Sequence, residues 1–148
     1  MKDRFDYDGA LKDLFQQDHP TLLDEITCAV PVKEFLNVEL PKMQERRVDL
    51  VLSLEDRSIL HLEFQSRNHR DMPYRMAMYH LLLTQRYRRH LRHVVLYVGE
   101  RKMRMQTRLD SGPMQFHYEL KDIRERRAEE FTRTGKPADY ALALLSQI

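Results

Sequence analysis

Two arms of alternating side chains, Val48 to Leu54 and Leu60 to Phe64, flank Glu55-Asp56-Arg57 and constrain this chain more than any other stretch. Val48, Leu50, Leu52 and Leu54 take every second position of the first arm, and Leu60, Leu62 and Phe64 do so on the second. That is the period of strands with one apolar face. With the triplet as a turn, Leu52 falls opposite Leu60, Leu50 opposite Leu62 and Asp49 opposite Glu63. Opposed like charges destabilise a strand pair. A chain that keeps them usually holds a cation between them or uses the shared site for proton chemistry. Asp49, His61, Glu63 and Gln65 then project together from the face away from the leucines.

Composition sets limits around this hairpin. A chain of 148 residues that is 42% hydrophobic fits one domain, 1–148, with a real core. No apolar run approaches membrane-spanning length. Met1 leads into Lys2-Asp3-Arg4-Phe5-Asp6 with no signal-like apolar stretch, and the single cysteine, Cys28, excludes an internal disulfide, so the expected compartment is a reducing cytoplasm. Cys28, beside Ala29 and Val30, reads as a small packing residue, since nothing nearby in sequence would activate its thiol.

The net charge of +2 hides an asymmetry. Residues 65–108 carry 2 acids against 11 bases, with Arg86, Arg88, Arg89 and Arg92 interleaved with Tyr87, His90 and His93, and Arg101, Lys102, Arg104 and Arg108 beyond. A solvated helix end gives such a run too. Its place directly after the carboxylate hairpin favours a polyanion, because Lys and Arg release the counterions condensed on phosphates.

Punctuation and periodicity predict the remaining elements. Tyr7 to Gln17 reads as a helix with Leu11, Leu14 and Phe15 on one side, and a second helix starts near Pro20 with Leu22, Leu23 and Ile26 inward, ended by Pro31. Val32 to Leu40 fits either helix or strand before Pro41. Asp71 and Pro73 suggest the cap and first turn of a long helix through about His90, with Met76, Tyr79, Leu83, Tyr87 and Leu91 at helical spacing. His93 to Val98, ended by Gly99, reads as a central strand. Met103 to Leu109 and Met114 to Leu120 flank Asp110-Ser111-Gly112-Pro113 as a second, more exposed hairpin, and helices over Asp122 to Arg133 and Ala138 to Ile148 close the chain.

Arg47-Val48-Asp49, Glu63-Phe64-Gln65-Ser66, and Asp71-Met72 followed by Arg75 and Tyr79 resemble the PD-(D/E)xK nuclease superfamily. Within it they look most like the recombination-promoting nuclease and putative transposase family, which shows the Glu-x-Gln-Ser form of the motif. Lys12-Asp13-Leu14-Phe15 and the stretch from Gly135 to Leu145 add weaker likeness. The resemblance implies an α/β fold of the restriction-endonuclease type, a mixed sheet flanked by helices, and a Mg²⁺-dependent DNA endonuclease linked to recombination or transposition, with Mn²⁺ able to substitute. It implies Asp49, Glu63 and the backbone carbonyl of Phe64 as metal ligands and Gln65 as the residue that orients the attacking water. It adds Arg75, Tyr79 and an acid from the first helical region, Glu25 ahead of Asp24. Arg67, Arg86, Arg88, Arg89 and Arg92 become the nucleic-acid contacts. Many superfamily nucleases pair two sites to cut two strands, which implies a homodimer. Longer family members carry a C-terminal extension beyond the stretch that this chain matches.

Two departures bear on activity. Gln65 stands where the superfamily usually has Lys, and Gln neither carries a charge nor acts as a general base. Val48 stands where the superfamily's name has proline, a residue with no part in the chemistry. The alternatives are therefore a catalytically weak or inactive DNA-binding module on the same fold, and an RNA-acting nuclease. Tyr79 also fits the core stripe of its helix, and His61 shares the carboxylate face as either a structural residue or a ligand partner.

Overall fold

A computed structural model describes residues 7–38 and 49–147. Arg47 and Val48 of the hairpin motif, and Leu40 and Pro41 ahead of it, lie outside the described residues. Helices α1 (Tyr7–Asp18) and α2 (Thr21–Ile26) are followed by β1 (Val32–Leu36), β2 (Leu50–Leu54) and β3 (Ile59–Gln65). Then come α3 (Met72–Tyr87), β4 (Leu91–Tyr97), the short strands β5 (Arg108–Asp110) and β6 (Gln115–His117), and β7 (Glu119–Asp122). A single 3₁₀ turn, Ile123–Glu125, leads to α4 (Ala128–Thr132) and α5 (Pro137–Gln147).

The main sheet runs β1-β2-β3-β4-β7, antiparallel across its first three strands and parallel from β3 through β4 to β7. The chain is thus mixed α/β, a five-stranded mixed sheet flanked by helices. The predicted hairpin register is present: Leu50 pairs with Leu62, Val51 with His61 and Leu52 with Leu60. Asp56 tightens the turn by accepting from Ser58 N–H and Oγ, and Arg57 takes a left-handed φ of 72°.

One sheet face carries Leu50, Leu52, Leu54, Leu60, Leu62, Phe64, Val94 and Leu96 against α1, α2, α4 and α5; Phe15 of α1 meets Phe64 edge-on with ring centroids 5.0 Å apart. The opposite face carries Val51, Ile59, Val95 and Tyr97 under Met72, Met76, Tyr79 and Leu83 of α3, with Met105 and Tyr118. All residues of β2 and β3 are buried, so their alternation marks two buried faces of different chemistry. A strand covered on both sides need not look uniformly apolar when its polar positions find partners.

Several expected boundaries move. Val32–Leu36 is the edge strand β1. α3 ends at Tyr87 on Arg88, whose φ of 53° is left-handed, so Leu91 opens β4 instead of closing the helix. Asp71 occupies the cap position of α3 without a capping side-chain bond. The second hairpin shrinks to β5–β6, and the segment after Tyr118 leaves it to extend the main sheet as β7. The helix expected over Asp122 to Arg133 is interrupted, with Asp122 capping the 3₁₀ turn through Arg124 N–H. Cys28 is exposed in a left-handed turn after α2 and does not pack in the core.

Candidate active site

The carboxylates meet at the end of the sheet where β2 begins and β3 finishes. Asp49 N–H donates to Glu63 Oε1 at 3.0 Å, and Phe64 N–H donates to Asp49 Oδ2 at 2.8 Å. Each carboxylate thus accepts from the backbone of the opposite arm, which fixes both side chains by the hairpin register. In extended backbone a residue's carbonyl lies on the same side as its N–H. The Phe64 carbonyl therefore lies on the β2 side of β3.

Glu63 is only 2% exposed. Burial, followed by the charge of Glu63, pushes the Asp49 carboxyl up from 3.8 to about 8, against the bond from Phe64 and the positive charge of Lys12. Burial pushes Glu63 up from 4.5 to about 7, against Arg75 and the bonds from Asp49. The bond between the two side chains raises Asp49 and lowers Glu63. A hydrogen bond between two carboxyl groups requires one proton between them.

Arg75 of α3 reaches this pair from above the sheet. Its Nη2 donates to Gln65 Oε1 at 3.0 Å and lies 3.4 Å from Glu63 Oε2, while its buried Nε has no hydrogen-bond partner. Gln65 Nε2 in turn donates to the Arg67 carbonyl at 3.0 Å. Both ends of Gln65 are occupied, so it braces Arg75 against the loop after β3. The water-orienting role expected for Gln65 would require one of these bonds to be released. Tyr79 packs its ring edge-on to His61 at 5.2 Å, a contact of the buried layer between α3 and the sheet.

His61 donates or accepts through both ring nitrogens, with Nε2 2.8 Å from Glu63 Oε1 and Nδ1 2.9 Å from His93 Nδ1. His93 Nε2 is 2.9 Å from His80 Nδ1. Burial, and then Arg75, lowers the His61 pKa to about 3; burial, and then its histidine neighbours, lowers that of His93 to about 2. His61 and Glu63 are therefore hydrogen-bonded without forming an ion pair.

Other expected residues lie elsewhere. Glu25 pairs with Arg126 at the surface, and Asp24 is exposed on the same short helix, which packs on the leucine face of the sheet, so neither joins the carboxylates. Arg89 donates to the Arg57 carbonyl at 2.6 Å and to Ser53 Oγ at 2.7 Å; Arg92 bonds Glu119 and the Ile26 carbonyl. Arg86 lies over the Tyr87 ring, and Arg88 donates to the Gln85 carbonyl. These four arginines cluster where β4 starts. Leu91 pairs with Ile59 and Val95 with Glu63, which puts the carboxylates four residues, or roughly 13 Å, further along the strands.

Arg67 alone of the expected nucleic-acid contacts sits at the carboxylate end. There the loops after β3 and β4 are stitched by Asn68, which donates to the Lys102 carbonyl at 2.9 Å and accepts from Arg104 N–H. Gly99 permits this approach: a Cβ there would lie 2.4 Å from the Ser66 carbonyl. Arg67, Arg70, Lys102 and Arg104 are exposed on these loops.

Three residues belong to the site that periodicity did not single out. Lys12 of α1 lowers Asp49 through its charge. His93 faces His61 in the parallel register of β3 and β4, and His80 stands one turn beyond Met76 on α3. A histidine inside the apolar run Leu91–Tyr97 was the available signal, but only strand order reveals its neighbour.

Among the described residues no group of three or more His, Cys, Asp or Glu side chains is arranged to hold a metal ion. Asp49, Glu63 and the Phe64 carbonyl nevertheless suit a hard cation such as Mg²⁺, which binds through one or two carboxylates and leaves its other positions to water and phosphate oxygens. The buried Glu63 beside the half-buried Asp49, both carboxyls raised by burial, supports that fit. Among the described residues no helix is long and apolar enough to cross a membrane. Comparison with protein-family models, curated proteins and solved structures finds no match.

Proposed function

We propose that this chain is a Mg²⁺-dependent DNA endonuclease of the PD-(D/E)xK type on a restriction-endonuclease-like sheet, acting in recombination or transposition as a cytoplasmic homodimer. One observation carries the reading: the half-buried Asp49 meets the buried Glu63, each held by a backbone N–H of the opposite arm. Asp49, Glu63 and the Phe64 carbonyl would hold the cation, which when bound neutralises charge on the phosphate and favours a hydroxide-like water. Arg75 supplies the fixed positive charge that Gln65 does not, and its guanidinium is oriented by the bonds to Glu63 and Gln65. A guanidinium cannot serve as a base, so Arg75 stabilises charge and moves no proton.

The DNA backbone follows the cationic loops at the same end of the sheet, Arg67, Arg70, Lys102 and Arg104, in preference to the distant Arg86 to Arg92 cluster. Two of that cluster's guanidiniums are already committed to binding the protein's own carbonyl, hydroxyl and carboxylate groups. A second reading, a DNA-binding module without cleavage, is favoured by the two bonds that tie down Gln65.

Incubation with supercoiled plasmid and with RNA, each with Mg²⁺, Mn²⁺ or EDTA, separates the readings. Metal-dependent plasmid nicking that is lost in Asp49→Ala and Glu63→Ala is the expected result. Binding without cutting under every metal overturns it in favour of the module, and preferential RNA cleavage moves the activity to RNA. Sedimentation at micromolar concentration tests the dimer.

A further inference from the structure

We infer that His93 and His80 are positioning residues for Glu63: with His61 they form a head-to-tail chain of imidazoles from the buried carboxylate to the surface of α3, with protons on His61 Nε2, His93 Nδ1 and His80 Nδ1. The inference rests on the proposed reading of the carboxylate pair as a cation site.

The hydrogen bonds dictate the proton positions. A neutral imidazole has one donor and one acceptor nitrogen. His61 and His93 meet through their Nδ1 atoms at 2.9 Å, so only one of those two nitrogens carries hydrogen. Glu63 Oε1 already accepts the Asp49 amide, and as an acceptor it requires the Nε2–H form of His61. His61 Nδ1 is then an acceptor and His93 must donate from Nδ1. His93 Nε2 is left as an acceptor, and His80 donates to it from Nδ1 at 2.9 Å. His80 is half-buried, so its Nε2 is the free end of the chain.

Each link constrains the next. Phe116 packs against both His93 and His80, with centroids 5.6 Å and 5.5 Å away, and Tyr79 packs edge-on to His61. The rings cannot turn without breaking a buried bond, and an unmade bond to a buried polar group is costly. Glu63 Oε1 is thereby held between the Asp49 amide and His61, leaving Oε2 beside Arg75. Partners one shell removed from a metal commonly change its affinity 10- to 100-fold when removed.

Long-range ¹H–¹⁵N spectra of the full chain, assigned with single His→Phe variants, read the three tautomers directly. The expected pattern is Nε2–H for His61 and Nδ1–H for His93 and His80, both without metal and with saturating Mg²⁺. Nε2–H forms of both His61 and His93, or imidazolium rings at neutral pH, overturn the chain. Calorimetric titration with Mn²⁺ supplies a second readout: His93→Phe should bind about 10- to 100-fold more weakly than wild type, and His80→Phe, at the accessible end, several-fold more weakly. Unchanged Mn²⁺ affinity in folded His80→Phe and His93→Phe overturns the positioning role. Should His93→Phe fail to fold, His80→Phe and the wild-type tautomers decide. A wild-type chain that binds no Mn²⁺ refutes the cation reading instead, and the tautomer pattern then decides the chain by itself.

Discussion

Burial raises the carboxyls of both Asp49 and Glu63, and the charge of Glu63 raises Asp49 further, while Arg75 and the bonds from Asp49 hold Glu63 down. Their folded-state pKa values, about 8 and about 7, lie above the ordinary 3.8 and 4.5, so the folded chain binds more protons than the unfolded chain over that range. Stability from this source is fully present below the unfolded values and is lost as pH rises through the folded ones. Unfolded histidines, with an ordinary pKa near 6.5, are mostly neutral only above about pH 7.5, and from there the carboxyls dominate the slope. Metal-free protein should therefore melt at progressively lower temperature from about pH 7.5 to pH 8.5, and Mg²⁺ should flatten the fall; a rising metal-free curve would contradict the raised carboxyl values. Asn at position 49 carries no charge and can donate to Glu63 from its amide. Asp49→Asn should raise metal-free stability at pH 8 while cutting Mg²⁺-dependent nicking at least about 100-fold, the order expected when one preorganised interaction with developing charge is removed.

At the level of elements, the parallel β3–α3–β4 unit decides which charges can act together. It places Arg75 over the carboxylates and sends the Arg86 to Arg92 cluster to the far end of the strands. Charge reversal should separate the two ends. Lys102→Glu with Arg104→Glu should weaken duplex binding in EDTA by about tenfold or more and lower the salt slope by roughly 1 for each phosphate that is no longer neutralised. Arg86→Glu with Arg88→Glu should change affinity by no more than about twofold, as read by fluorescence anisotropy. The reverse ranking would place the DNA at the β4 start. Arg75→Met should remove the charge beside Glu63 and reduce nicking while leaving EDTA-state binding near wild type.

Across the whole molecule, α5 is tied to the N-terminal helices by buried polar bonds. Asp139 is fully buried and accepts from Thr21 N–H and Thr21 Oγ1, each at 2.8 Å, and from Thr134; Asp18 accepts from Ala138 N–H at 2.6 Å. These bonds hold Leu142 and Ala143 in the core against the sheet. Asp139→Ala leaves the Thr21 donors without their partner, a loss of charge-assisted bonds worth about 2–4 kcal/mol. Urea denaturation should show that loss with little change in m-value; a change below about 0.5 kcal/mol would mean that α5 is held by its apolar face alone.

Local periodicity determined the hairpin register, the direction of the leucine face, the start of α3 near Pro73 and the buried character of β4, because each depends on neighbours a few residues away. It also put Asp49 beside Glu63, since a tight turn fixes which residues of two arms meet. Other features required the tertiary structure, because they depend on strand order and on what covers a face. Alternation in β2 and β3 does not distinguish a solvent-facing polar side from one roofed by α3. The run of positive charge from 65 to 108 does not show that the sheet splits it between opposite ends. Glu25 reads like any helical acid until Arg126, its partner from the far end of the chain, is brought to it. The parallel pairing of His61 with His93 and the packing of α3 over both turned three separate histidines into one hydrogen-bonded line ending on Glu63.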